Sequence, residues 1–370
     1  MAAITLKNVA GGAIKNALDL AIRDREFVVL SGPADSGIST IVRLIAGLED
    51  ASQGEIFFDD RQVNGVAPKD RDVALVAHDY APYPRLSVFG NLAIGLRRRK
   101  FAETEIQKRI ASVAAALGLE EQLPTTAERL SPEQRRPIGL ARAMVRQPGI
   151  YLFDDPFADL DPQPARRGRT EIVKLQQRSS ATIVYATTAP AEALALGQRT
   201  IVLVDGMIQQ DALSQNIYHA PANLAVAKFF SDPPMNLVSG TLKEERNGVV
   251  FSEAGDGTIS VPILPGQFLD AKNFVGKPVV LGFRPGDIEI DSSSADGKQG
   301  DGSFRALVER AEPKGPGADL YLQTGAHTLI ASSPRWGEHG EGGHRLHFRI
   351  TMEKAHLFDS ATGRRVTLEP

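Results

Sequence analysis

The stretch from residue 32 to 40, "GPADSGIST", lies between the apolar run "EFVVL" and the helix-like "IVRLIAG". Glycines at 32 and 37 and a hydroxyl at 39 fit the loop pattern G-x-x-x-x-G-K-[ST]. In such a loop the backbone N–H groups cradle phosphate oxygens at a helix N-terminus, and the hydroxyl ligates magnesium. Position 38, where the pattern has lysine, is Ile38. Seen alone, a glycine loop without its lysine reads as an ordinary strand-to-helix turn. Further along, "IYLFDDPFADLD" offers an apolar run ending in Asp154 and Asp155, a carboxylate placed to hold magnesium followed by a second acid. Together the two stretches point to a polyphosphate with its metal ion.

Elements able to position these groups are visible around them. The runs "EFVVL", "VALVA", "IYLFDD", "TIVYATT" and "TIVLVDG" alternate with helical patterns and are bounded by turn residues, which predicts a parallel sheet. Ile106, Ile110, Val113 and Leu117 recur at helical spacing, so an amphipathic helix is expected over 103–118, on the outside of the sheet core. After "SDPPMN" the texture changes to β-type runs, "GVVFS", "TISVPIL", "PVVLGF", "DLYLQT" and "HRLHFRI", separated by Gly- and Asp-rich turns. The expected division is therefore 1–235 and 236–370, the second part mostly β. The polar, glycine-rich segment 291–303 is expected to be a mobile loop within it.

Composition narrows the classes. A chain of 370 residues has room for two cores, and 42% apolar with 24% charged residues is ordinary for a globular protein. With a net charge of −3 there is no basic surface for nucleic acid, and with no cysteine there is no disulfide, thiolate metal site or thiol nucleophile. The start "MAAITLKNVAGG" lacks a secretory apolar segment, and no apolar run approaches the roughly 20 residues that span a bilayer. A cytoplasmic protein is the expectation.

Between the loop and the acidic pair, "ERLSPEQRRPIGLARAMVRQP" resembles the signature helix of an ABC-transporter ATPase, and "RDVALVAHDYAPYPRLSVFGNL" resembles that family's link to its membrane partner. "YHAPANLAVAKFF", "PPMN", "GFRPGDIEI" and "AHLFD" are similar to the joint and the OB-like regulatory β domain of the carbohydrate importers of maltose and glycerol-phosphate type. The resemblance runs the length of the chain. It implies an α/β P-loop NTPase domain with a helical subdomain at about 83–148, followed by the β-rich domain. It also implies ATP and Mg²⁺ as cofactors and a dimer with two nucleotides between its subunits. Each nucleotide is held by the loop of one subunit and the signature of the other, and ATP closes the dimer to drive a pair of transmembrane permease subunits.

By that resemblance the nucleotide contacts fall on Gly32, Pro33, Ala34, Asp35, Ser36, Gly37, Ile38, Ser39, Thr40, Ser131 and Gln134, with Ser39 and Asp154 on magnesium. Several positions depart from the family pattern. The loop's lysine is Ile38 and one of its glycines is Asp35, a loss of one positive charge and a gain of one negative. A charge pair at 4 Å is worth about 4 kcal/mol near a protein surface, so the two changes together cost on the order of 10³ in affinity. Backbone N–H groups from Gly37 to Thr40 remain, which leaves weak binding at millimolar ATP. The adenine-stacking aromatic is missing from "LKNVAGGAIKNALDL".

The signature "LSPEQ" replaces LSGGQ and reads as a self-capped helix, with Ser131 as N-cap, Pro132 at N1 and Gln134 at N3. Glu133 offers its own carboxylate to the helix dipole where a partner's γ-phosphate should dock. Pro137 is expected to break the helix, because it cannot bond back to the carbonyl of Glu133. The family's general base is shortened to Asp155, and a misplacement near 1 Å costs about 10² in rate. His78 stands for the glutamine that reads metal and water, and it reads equally well as an ordinary core or surface histidine. Thr188 stands for the histidine that contacts the γ-phosphate. Asp154 and Asp161 persist.

Three readings follow. In the first, the chain is a catalytically degenerate subunit of an importer for a sugar, polyol or related solute, peripheral on the inner face of the membrane and paired with an intact paralogue. A second makes it a slow homodimeric importer ATPase, with Arg43 one turn beyond the loop, since Lys7 and Lys15 precede the central strand. The third is a non-transporting scaffold or regulator acting through the β domain. The segment 80–99, with Tyr80, Tyr83, Pro84, Leu86 and Val88 able to line a groove, keeps the character of a permease contact, and core packing accounts for some of these residues.

Overall fold

The computed structural model describes residues 3–77, 81–158, 161–246, 248–264, 268, 271–291, 302–334 and 343–366. The chain divides into two compact units, Met1–Gln215 and Asn216–Pro370.

In the first unit, β1 (Ile4–Gly11) and β2 (Ile14–Ile22) form a hairpin, and β3 (Phe27–Ser31) leads through the glycine loop into α1 (Ile38–Ala46). β4 (Gln53–Phe58) and β5 (Arg61–Gln62) join the hairpin in an antiparallel sheet of order β2-β1-β4-β5. β6 (Val73–Ala77), β7 (Ile150–Asp154), β8 (Thr182–Thr187), β9 (Arg199–Val204) and β10 (Met207–Leu213) complete a second sheet of order β10-β9-β3-β8-β7-β6. Within it β9, β3, β8, β7 and β6 are mutually parallel, as the continuous apolar runs predict for strands covered on both faces. α1 buries Ile41, Val42, Leu44 and Ile45 against Val28, Leu30, Leu152 and Val184.

A helical cluster is inserted between β6 and β7. α2 (Val88–Arg98), α3 (Glu103–Leu117) and α4 (Pro132–Arg146) share a core of Val88, Leu92, Ile106, Ile110, Ala114 and Ile138. The 3.6-residue period in α3 thus buries Ile106, Ile110 and Val113 as expected, but against α2 and α4 in the helical cluster, which corrects the expected seat on the sheet core. α5 (Pro162–Arg178) and α6 (Pro190–Leu196) flank β8 in sequence.

α4 passes unbroken through Pro137, which corrects the expected break. Proline removes one backbone bond, to the carbonyl of Glu133, and that residue lies in the exposed first turn, where solvent can reach the freed carbonyl. Burial of Ile138, Leu140, Ala141, Ala143 and Val145 directly after it holds the rest of the helix in place.

In the second unit, α8 (Leu224–Phe229) precedes β11 (Asn236–Glu245), β12 (Gly248–Glu253), β13 (Ser260–Pro262), β14 (Pro278–Phe283) and β15 (Ile288–Ile290), and α7 (Ser214–His219) spans the division between units. β16 (Ser303–Lys314), β17 (Gly317–Gln323), β18 (Thr328–Ser333), β19 (Arg345–Ile350) and β20 (His356–Asp359) follow. They form two antiparallel five-stranded sheets, β13-β12-β11-β14-β20 and β15-β19-β16-β17-β18. Phe251, Phe283, Phe304 and Phe348 fill one core between these sheets. The unit begins before residue 236 because Ala227 of α8 packs with Met235, Val280 and Phe358. The expected mobile loop at 291–303 lies largely outside the described residues.

Candidate functional site

Parallel register brings the chemistry-bearing residues to one edge of the sheet. Ser31 pairs with Thr187 and Asp154 with Ala186, so the loop after β3, the acids at the end of β7 and the threonines at the end of β8 leave the sheet side by side. In open parallel sheets this carboxyl edge is where ligands bind. Ser31 Oγ donates to the carbonyl of Thr187 at 2.9 Å and ties two of these exits together.

The loop has the shape of a phosphate cradle. A Cβ at Gly32 would fall 2.1 Å from the carbonyl oxygen of Leu203, so only glycine fits there. Gly37, the N-cap of α1, sits at φ 96. Asp35 occupies the left-handed region at φ 63, a conformation that suits glycine and that aspartate tolerates. Pro33, Ala34 and Asp35 are exposed, whereas Ser36, Gly37 and Thr40 are buried. Ser36 Oγ is buried with no partner among the described residues.

Ile38 is 4% exposed and belongs to the apolar cluster formed with Ile14, Val28 and Leu30. The side chain at the position where the loop pattern has lysine is therefore part of the core. Arg43, one turn on, lies with Nε 3.9 Å from Asp154 Oδ2 and Nη1 3.5 Å from Glu49, so its guanidinium faces carboxylates.

Ser39 Oγ donates to Asp154 Oδ1 at 2.6 Å, and Asp154 is buried. A hydroxyl and a carboxylate at this spacing are the hard oxygen donors that magnesium takes. For a nucleoside triphosphate with magnesium the fit is partial: metal ligands and backbone donors fit, and the loop offers no cation to the phosphates.

Asp155 follows with φ 45. Its Oδ2 accepts the Thr188 hydroxyl at 2.8 Å, and Thr187 Oγ1 lies 3.4 Å from Oδ1. Thr187 donates to Glu192 Oε2 at 2.6 Å, and Arg169 meets Glu192 Oε1 at 3.0 Å. Burial, with the Glu192 carboxylate beside it, pushes the Tyr185 phenol well above its ordinary range. The sequence reading named Asp155 and Thr188 but not Thr187, Glu192 or Arg169, because only the tertiary approach of α5, α6 and β8 assembles them.

The start of α4 forms the capping box that its sequence spells. Ser131 Oγ accepts from Gln134 N at 3.3 Å, Gln134 Oε1 accepts from Ser131 N at 3.0 Å, and Ser131 donates its hydroxyl proton to Glu133 at 2.7 Å. That hydroxyl, with the residue's own N–H, holds the Glu133 carboxyl below the usual range. Ser131 and Gln134 bond to one another and not to the loop among the described residues.

His78 and Tyr80 lie outside the described residues. Val88 is fully buried in the helical core and lines no groove, which corrects that assignment. Tyr83 is exposed beneath the Arg142 guanidinium, 4.9 Å from the ring centroid. A cleft of about 500 Å³ beside it is lined by Leu92, Leu96, Arg98, Arg99, Arg142 and Arg146. No described helix is long and apolar enough to cross a membrane.

Comparison with known proteins agrees with this arrangement. The ABC transporter family model matches residues 15–158, and that of the MalK OB fold domain matches 232–288. The oligosaccharides import ATP-binding protein MsmX of Bacillus subtilis is 37% identical over 94% of this chain and 93% of its own length. The trehalose/maltose import ATP-binding protein MalK of Thermococcus litoralis is 35% identical, covering 94% of each. Among solved structures, the dimeric post-hydrolysis state of the ATP-binding cassette MJ0796 with ADP and Pi superposes with a TM-score of 0.52 at 26% identity, over 57% of this chain and 98% of that one. With the glycine loop, the Ser39–Asp154 contact and the capped α4 in its first unit, and a two-sheet OB-type unit following in sequence, the chain belongs to the family of ABC transporter ATP-binding proteins with a MalK-type OB domain.

Proposed function

We propose that this chain is the nucleotide-binding-type subunit of an importer for a sugar, polyol or related solute, weakened in hydrolysis and paired with an intact ATPase subunit. The solute class follows the relatives, whose names state oligosaccharide and trehalose/maltose import. It sits peripherally on the cytoplasmic face, against permease subunits reached by the segment 80–99.

One observation carries the weakening: the residue at the lysine position, Ile38, is built into the core, and Asp35 puts a carboxylate on the loop. Bound Mg²⁺ and ATP would supply the polyphosphate whose cleavage drives transport. This chain's part is to hold the metal with Ser39 and Asp154 and to donate backbone N–H groups at the start of α1. In a mixed dimer, one site joins the partner's loop and base to this chain's Ser131 and Gln134, and turnover belongs there. The other joins Gly32–Thr40 to the partner's signature.

Titration of fluorescent ATP with Mg²⁺ tests the reading. Wild type is expected to bind only at millimolar nucleotide, and Ile38→Lys clearly more tightly; micromolar binding by wild type sinks it. Co-purification with an intact paralogue tests the pairing. The preserved Ser39–Asp154 contact favours a second reading, a slow homodimeric ATPase. Hydrolysis by pure protein, abolished in Asp154→Asn, would establish that reading.

A further inference from the structure

β7 and β8 run parallel, and their ends place Asp155 beside two consecutive threonines. Thr187, the last residue of β8, is fully buried, whereas Thr188, in the bend just beyond the strand, is exposed. Thr187 has a single hydroxyl proton and two acidic neighbours. Glu192 Oε2 at 2.6 Å takes it, Asp155 Oδ1 at 3.4 Å does not, and the Ala189 N–H fills a Thr187 lone pair at 3.1 Å. Thr188 is then the donor that holds Asp155. Its hydroxyl lies 2.8 Å from Oδ2, and its N–H points at the same oxygen from 3.4 Å.

The backbone leaves Asp155 little freedom to leave this contact. Its N–H donates to the carbonyl of Ala186 at 2.9 Å, and its carbonyl accepts from Ala158 N at 3.1 Å. One methylene separates this pinned backbone from the carboxylate.

We propose that Thr188 is a positioning residue that clamps the Asp155 carboxylate to the turn after β8, so that positions 155 and 188 work as a single unit. This deepens the reading of weakened hydrolysis and rests on it for the role of Asp155. A carboxylate oxygen that accepts both an O–H and an N–H from the protein has fewer lone pairs left for a water molecule. Lengthening residue 155 alone therefore exchanges one mismatch for another: a glutamate carries its carboxylate past the hydroxyl that now fixes it.

The test is a double-mutant cycle in the full chain, read by denaturant unfolding and by the ¹³C carboxyl resonance of Asp155, assigned with Asp155→Asn. Thr188→Val is expected to lower the folding equilibrium constant about fivefold, the range of one charge-assisted hydrogen bond at an exposed site. In an Asp155→Ala background the same change should cost less than twofold. Thr188→Ser, which keeps the hydroxyl, should lie within twofold of wild type and leave the Asp155 resonance in place, while Thr188→Val moves it. An equal loss with and without Asp155, or a resonance indifferent to Thr188→Val, overturns the proposal. None of these readouts needs nucleotide, so vigorous hydrolysis by wild type would defeat the proposed function and leave the clamp standing.

Discussion

At the scale of single residues, substitutions at Ile38 and Asp35 should have opposite effects on stability and the same effect on ligand. Ile38 is 4% exposed, so Ile38→Lys removes a buried aliphatic group and should cost about 2 kcal/mol of stability without nucleotide. Asp35 holds φ 63, so Asp35→Gly should relieve strain and raise stability by about 0.5 kcal/mol. Combined, the two changes should tighten Mg·ATP on the order of 10³. Calorimetric binding and urea unfolding on the same three variants check both halves, and unchanged affinity in the double variant would remove the electrostatic account. Candidate positions were legible in the sequence, because the loop pattern picks out 32, 37 and 39 and the apolar run ending in two acids picks out 154. What each side chain does was less so: burial of Ile38 and the reach of Thr188 depend on strands brought together from distant parts of the chain.

At the scale of elements, the site depends on α1 and α4. Arg71 closes the end of α1, donating from Nη1 to the carbonyls of Leu44 and Ile45 at 2.8 and 3.0 Å and from Nε to Val66 at 2.8 Å. Arg71→Leu would remove the side-chain donor from all three carbonyls, with Leu44 keeping the Gly47 N–H at 3.2 Å, and should destabilise the first unit by about 3 kcal/mol in urea unfolding, a loss that Arg71→Lys recovers only in part. For α4, Ser131→Ala removes the cap and should cost about 1 kcal/mol; no loss would mean that the capping box contributes nothing. Capping was readable from "SPEQ" because cap chemistry is local. Pro137 misled for the same reason: a local rule forbids what burial of the following turns permits. The antiparallel sheet of β1, β2, β4 and β5 had no strong signature in the sequence, since its strands mix exposed and buried positions irregularly.

At the scale of the whole molecule, the two units should respond differently to acid. In the second unit His356 is buried, and burial first, then Arg365, Arg284 and His219, push it down from 6.5 to about 4. The unfolded chain therefore binds this proton at a higher pH than the folded unit does, so stability is full above pH 6.5 and is lost as pH falls toward about 4. The loss from this one group should reach about 3 kcal/mol. His356→Leu should flatten that part of the second unit's pH profile while leaving the first unit's unchanged, and a profile identical to wild type would refute the assignment. The β character of this unit was legible from strand periodicity, whereas the packing of α8 onto it was not, because α8 carries no β signal and joins through Met235, Val280 and Phe358. The pairing of Ser31 with Thr187 and of Asp154 with Ala186 has an evolutionary corollary. Strand alignment sets these positions side by side whatever side chains occupy them, so the weakened turnover proposed above would leave a template that a handful of codon changes could refurnish, a reservoir from which a fully active subunit could re-emerge.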